Sequence, residues 1–124
     1  MYKPYNTKAL TPADESEHVR ILNDAFRTDP FSPFYSNNIV ITGGVAAHGT
    51  DFIDRAVQAV REFSDFTGDN DPYGEHDFGS FELDGIKLFW KIDYYDQELE
   101  YGSPDAADHT VTRRVLTILL AEEY

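Results

Sequence analysis

From Asp77 to Tyr94 the chain alternates side chains with a period of two, and the run is interrupted once, at Asp84-Gly85. A period of two belongs to a strand, whose successive side chains point to opposite faces. Asp-Gly is the pair that the tightest hairpin turn demands, because both of its central residues take positive φ. Together they predict a β-hairpin with strands over 77–83 and 86–94. In the second strand Ile86, Leu88, Trp90, Ile92 and Tyr94 share one face, and Lys87, Phe89, Lys91, Asp93 and Tyr95 the other. Phe78 and Ser80 oppose Phe81 and Leu83 in the first.

The N-terminal half carries the helical period. Thr11 and Pro12 fit an N-cap and first position, and Asp14, Glu15 and Glu17 crowd the turn where the helix dipole favours anions. Val19, Leu22 and Phe26 recur at spacings of three and four, widened by Ile21 and Ala25, so a helix is predicted over 12–27. Asp29-Pro30 ends it. Thr50 is read as the cap of a second helix over 51–64, with Phe52, Ile53, Ala56, Val57, Val60 and Phe63 as its apolar face. Asn38 to Thr42 is short and β-branched and reads as a strand. The adjacent Gly43-Gly44 marks a bulge, a turn or a close backbone approach. Asp65 to Tyr73 is rich in turn residues and reads as a loop. Val111 to Ala121 fits either period, and its β-branched content favours a strand.

These elements predict an α+β fold: two helices packed on a small, mainly antiparallel sheet of about four strands. Its 124 residues suit a single domain over 1–124, with 1–10 as an N-terminal arm. Phe31, Phe34 and Tyr35 read as an aromatic loop expected to cover a core edge. No apolar run reaches the roughly 18 to 20 residues of a spanning helix. Residues 1–10 show no apolar stretch of a secretory leader, so a cytoplasmic protein is expected. The absence of cysteine removes disulfides, thiolate catalysis and Cys-ligated metal sites together.

Charge is the second constraint. The net charge is −13, and the segment from Glu62 to Asp108 holds 14 acids and 2 bases, a net of −12. So acidic a surface repels nucleic acid and anionic membranes, and neither is expected as a direct partner. An acidic surface also keeps proteins dispersed, which is its simplest use.

Three constellations within this segment could carry chemistry. Counted from Asp69, the acids Asp71, Glu75 and Asp77 and Gly74 fall at calcium-loop positions, but Tyr73 and Ser80 stand where two further ligands belong. No metal ion or cofactor is therefore expected. His76, Asp77 and Lys91 could form a small enzyme or ligand site, with His76 as a base oriented by a carboxylate. Alternation along a strand works against that convergence, and catalysis is the lesser expectation. The third constellation interleaves acids with tyrosines: Asp93, Tyr94, Tyr95, Asp96, Glu98, Glu100 and Tyr101. Rigid aromatic rings with surrounding acids suit recognition of a basic protein surface. Lys91 and Asp93, two apart on one strand face, suit a simple ion pair.

The strings DNDPYGEHDFGSF, FWKIDYYD, GSPD and TRRVLTILLAEEY, together with ILNDAFR in the first helix, resemble a family of small bacterial proteins known only as a domain of unknown function. Ala106, Ala107 and His109 depart from its usual prolines. The resemblance implies carriage on plasmids and other mobile elements, and implies no catalytic residue.

The leading expectation is an acidic binding protein that blocks the basic surface of a nucleic-acid-binding complex. Its acids would imitate phosphates, and mobile-element carriage would make it an inhibitor of host defence, anti-CRISPR or anti-restriction. The contacts would be Asp69, Asp71, Glu75, Asp93, Asp96, Glu98 and Glu100, with Tyr94, Tyr95 and Tyr101 as anchors. The alternatives are the site around His76, Asp77 and Lys91, or an accessory subunit of a plasmid-encoded complex using Phe31, Phe34 and Tyr35.

Overall fold

A computed structural model describes residues 11–30 and 38–124. The arm over 1–10 and the aromatic loop at Phe31, Phe34 and Tyr35 lie outside them. The elements run α1 (Pro12–Thr28), β1 (Asn38–Ile41), α2 (Gly43–Ala46), α3 (Thr50–Glu62), β2 (Phe78–Leu83), β3 (Ile86–Tyr95) and β4 (Arg113–Leu120), then a 3-10 turn over Ala121–Glu123. The four strands form one sheet in the order β1-β4-β3-β2. β1 runs parallel to β4, and the other two pairings are antiparallel. This is the α+β class the sequence predicts, with a one-turn helix, α2, added to the two expected.

The hairpin forms as its turn residues require: Asp84 has φ 54° and Gly85 φ 76°. Arg55 of α3 reaches the tip and holds both Asp84 oxygens, at 3.1 and 2.7 Å. Leu88, Trp90 and Ile92 of β3 face Leu120, Ile118 and Leu116 of β4. Phe26, Val45, Phe52, Ala56 and Val60 close over them from the three helices. The final segment is a strand, and it lies in the sheet interior between β1 and β3.

Two local expectations are corrected. Thr50 is not the cap of α3; that place is taken by Gly49, at φ 96°, a conformation that lets the chain reverse directly out of α2. Ile21 does not widen the buried stripe of α1 but stands 54% exposed, while Asn23 and Arg27 are buried beside Val19 and Phe26. Gly43-Gly44 proves a close approach. The Gly44 amide donates to the Glu123 carboxylate at 3.1 Å, and a Cβ at Gly44 would stand 2.6 Å from that carboxyl carbon. Thr11 caps α1 as predicted, accepting from the Asp14 amide at 3.1 Å.

The sheet order places the two acid-rich connections together. The segment between α3 and β2 enters the sheet at Phe78, opposite Lys91, and the segment after β3 leaves it at Tyr95, opposite Arg113. Both lie at one end of the sheet, and the Asp84-Gly85 turn lies at the other.

Candidate functional site

The acidic end rests on a seam of buried polar groups. Asn23 is 0% exposed and makes three contacts. Its amide donates to the Glu75 carbonyl at 2.9 Å and the Tyr94 hydroxyl at 2.8 Å. Its oxygen accepts from Arg114 Nε at 2.7 Å. Arg114, 2% exposed, also donates to the Ala106 carbonyl and lies 5.1 Å from the Tyr94 ring centre. Carbonyl dipoles and a π face thus surround a buried cation. The Tyr94 hydroxyl donates to Glu75 Oε1 at 3.2 Å. One arginine of the sheet thereby ties α1, the loop before β2 and the loop before β4 to a single point.

A second knot lies alongside. Arg27 Nη1 donates to the carbonyls of Val60 and Phe63 at 2.8 and 2.9 Å, satisfying orphan acceptors at the end of α3. Its guanidinium stands 5.3 Å from the ring centres of both Phe66 and Trp90. Its Nη2 reaches Asp24 Oδ1 at 3.0 Å, and His76 Nδ1 meets the same oxygen at 3.0 Å. His76 stacks on Phe66 at 3.7 Å, and its Nε2 stands 3.6 Å from Asp71 Oδ2. Its φ of 56° is the left-handed region, which this web of contacts holds in place.

Electrostatics follow the geometry. Burial, reinforced by Asp77 and only partly offset by the Tyr94 hydrogen bond, pushes the Glu75 carboxyl above its ordinary range. Burial also raises Asp77, with Asp71 and Asp93 adding repulsion. Burial raises the Tyr94 phenol and lowers the Arg114 guanidinium. Glu75 further lines a cleft of about 250 Å³ with Pro12, Glu15, Val19, Asp105 and Ala107.

The expected contact residues divide into separate groups. Asp69, Glu98, Glu100 and Tyr101 are exposed at the acidic end, Tyr101 by 72%. Asp71 is buried and accepts from the backbone amides of Glu75 and His76, at 3.0 and 3.2 Å, so it shapes its own loop. Asp96 is half-buried and accepts from the Glu100 amide at 3.0 Å. Tyr94 turns into the seam, whereas Asp93 and Tyr95 lie on the sheet face away from the helices. Lys91 is on that outer face too, paired with Asp93 at 2.7 Å. His76, Asp77 and Lys91 therefore do not converge. Among the described residues, no group of three His, Cys, Asp or Glu side chains could hold a metal ion.

Asn23, Asp24, Arg27 and Arg114 were not singled out by sequence reasoning as members of a site. The signal for Asn23 and Arg27 lies in spacing: they fall four apart, on the same stripe as Val19 and Phe26. Arg114 stands next to Arg113 in an alternating strand, where the pair suits a role in neutralising nearby acids. Arg114 lies instead in register with Tyr94 on the inner face of the sheet.

The fold and seam define a small α+β domain whose acidic loops are gathered at one end and fastened from beneath. The chain belongs to the family described as protein of unknown function (DUF3768), which matches residues 41–123. No curated protein and no solved structure matches the chain. Among the described residues, no helix is long and apolar enough to cross a membrane.

Proposed function

We propose that this chain is an acidic binding protein that covers the basic, nucleic-acid-binding surface of a partner complex. One observation carries the reading: the sheet order brings both acid-rich loops to the same end. Asp69, Glu98 and Glu100 are exposed there, and among the described residues none of them is in an ion pair. Unpaired carboxylates grouped at one pole focus a negative field, which steers a Lys- and Arg-lined surface into contact. Tyr101 and Leu99, 72% and 39% exposed, add apolar contact area amid the acids. The seam below limits the entropy lost on binding, because the loops are already fixed.

The finer proposal, resting on the family resemblance, is a bacterial, cytoplasmic protein carried on mobile elements that inhibits a host-defence complex by imitating nucleic acid. The test is capture from a bacterial lysate on the immobilised protein, eluted with a salt gradient. The reading predicts a nucleic-acid-binding complex that salt releases and DNA or RNA displaces. Capture that salt leaves unchanged, or that nucleic acid cannot displace, contradicts it.

A further inference from the structure

All three described helices pack on one face of the sheet, and the opposite face carries the half-buried Phe78, Phe89, Tyr95 and Val115 and the exposed Tyr124 around a buried Leu119. Phe78 and Phe89 lie 5.2 Å apart, and Tyr124 meets both edge-on, at 6.4 and 5.4 Å. Val40 on the edge strand is 43% exposed. We propose that this face is a self-association surface and that its occupant is a second copy of the chain.

Charge is the first argument. A chain of net charge −13 repels its own copy over most approaches. The outer sheet face is an exception, since Lys87, Lys91 and Arg113 outnumber Glu82 and Asp93 there. Area is the second. Four strands about 4.8 Å apart and roughly seven residues long offer on the order of 500 Å² per copy. A face-to-face pair then removes about 1,000 Å², enough for a specific if modest interface.

Charge also selects the arrangement. Glu82 and Lys87 lie at the hairpin end of the face, and Asp93 and Arg113 at the acidic end. A two-fold axis across the strands lays each strand on its own counterpart, so β3 meets β3 with Lys87 of one copy against Asp93 of the other. It also sends the two acidic poles to opposite ends of the dimer. An axis along the strands would superpose those poles. The closed pairing is therefore strand-antiparallel.

Analytical ultracentrifugation of the full chain, from about 1 to 500 μM in 150 mM salt, tests this. The expected result is a monomer–dimer equilibrium, weakened at least tenfold by Phe89→Glu with the far-UV spectrum retained. Lys87→Glu and Asp93→Lys provide a second arm that spares the apolar face. Each alone should weaken the dimer, and mixing them should restore it as a heterodimer, because the reversed charges then meet across the axis. A chain that stays monomeric throughout, as it would if its own residues 1–10 occupied the face, overturns the proposal. So does a dimer indifferent to Phe89→Glu, or a mixture no more associated than its parts.

Discussion

Gly79 is a residue whose identity the packing dictates. A Cβ there would stand 2.7 Å from Phe63 Cζ and press on the Trp90 indole, whose buried Nε1 has no hydrogen-bond partner among the described residues. The indole and the Phe63 ring fill the space a side chain would take, and that requires glycine. Gly79→Ala should cost about 1–3 kcal/mol through overpacking, read as a lower urea midpoint with unchanged slope. Leu99 is the opposite case. It holds φ at 59° on an exposed turn, where a side chain is strained and glycine is not. Leu99→Gly should raise stability by about 1 kcal/mol, while removing an apolar group from the acidic pole. A fall in the melting temperature would show that Leu99 makes a stabilising contact instead.

Two carboxylates make the pH dependence legible because their signs differ. Glu75 is raised, so between its unfolded value and its folded one the native state holds the extra proton. Stability from this group therefore falls as pH rises through that window. Glu75→Gln, which keeps an acceptor for Tyr94, should stabilise at neutral pH, with the gain vanishing below about pH 4. Glu123 is lowered by its hydrogen bonds from Thr42 and the amides of Leu120 and Gly44. Its contribution is present above its unfolded value and is lost as pH falls through the folded one. Glu123→Gln should therefore destabilise at neutral pH, and the difference should close in acid. Thermal melts from pH 3 to 8 read both.

At the scale of elements, the hairpin was the most legible part of the sequence because period and turn chemistry agree and both act locally. The helices were legible from the 3.6 period, but α2 was not. One turn is too short to show a period, and its start at Gly43-Gly44 depends on Glu123, some eighty residues away. The seam was hidden for the same reason. Arg114 beside Arg113 looks like a surface pair, and only the pairing of β4 with β3 turns it inward beneath Tyr94. Arg114→Leu should cost roughly 2–4 kcal/mol, because it leaves Asn23 and the Ala106 carbonyl without their donor. Protection of amides over 103–108 against hydrogen exchange should fall more than protection in β2. Equal losses in both would mean that Arg114 holds the whole core rather than that loop.

For the whole molecule, the bulk charge was readable from composition, but its placement was not. A −12 segment could have been spread along a sheet; the order β1-β4-β3-β2 instead gathers its two long loops at one pole. Some of the residues expected to make contact also hold the chain itself together, as Asp71 does its own loop and Asp93 does through Lys91. The members of that set exposed at the acidic pole are Asp69, Glu98, Glu100 and Tyr101, and on the proposed function they are the ones a partner meets first. The most direct test compares the wild type with the triple variant Asp69→Asn, Glu98→Gln, Glu100→Gln, measuring affinity for the captured complex across a salt series. The account predicts weaker binding at low salt and a shallower dependence of affinity on salt, with no loss of thermal stability. An unchanged affinity and slope would place the interaction elsewhere on the molecule and contradict the account.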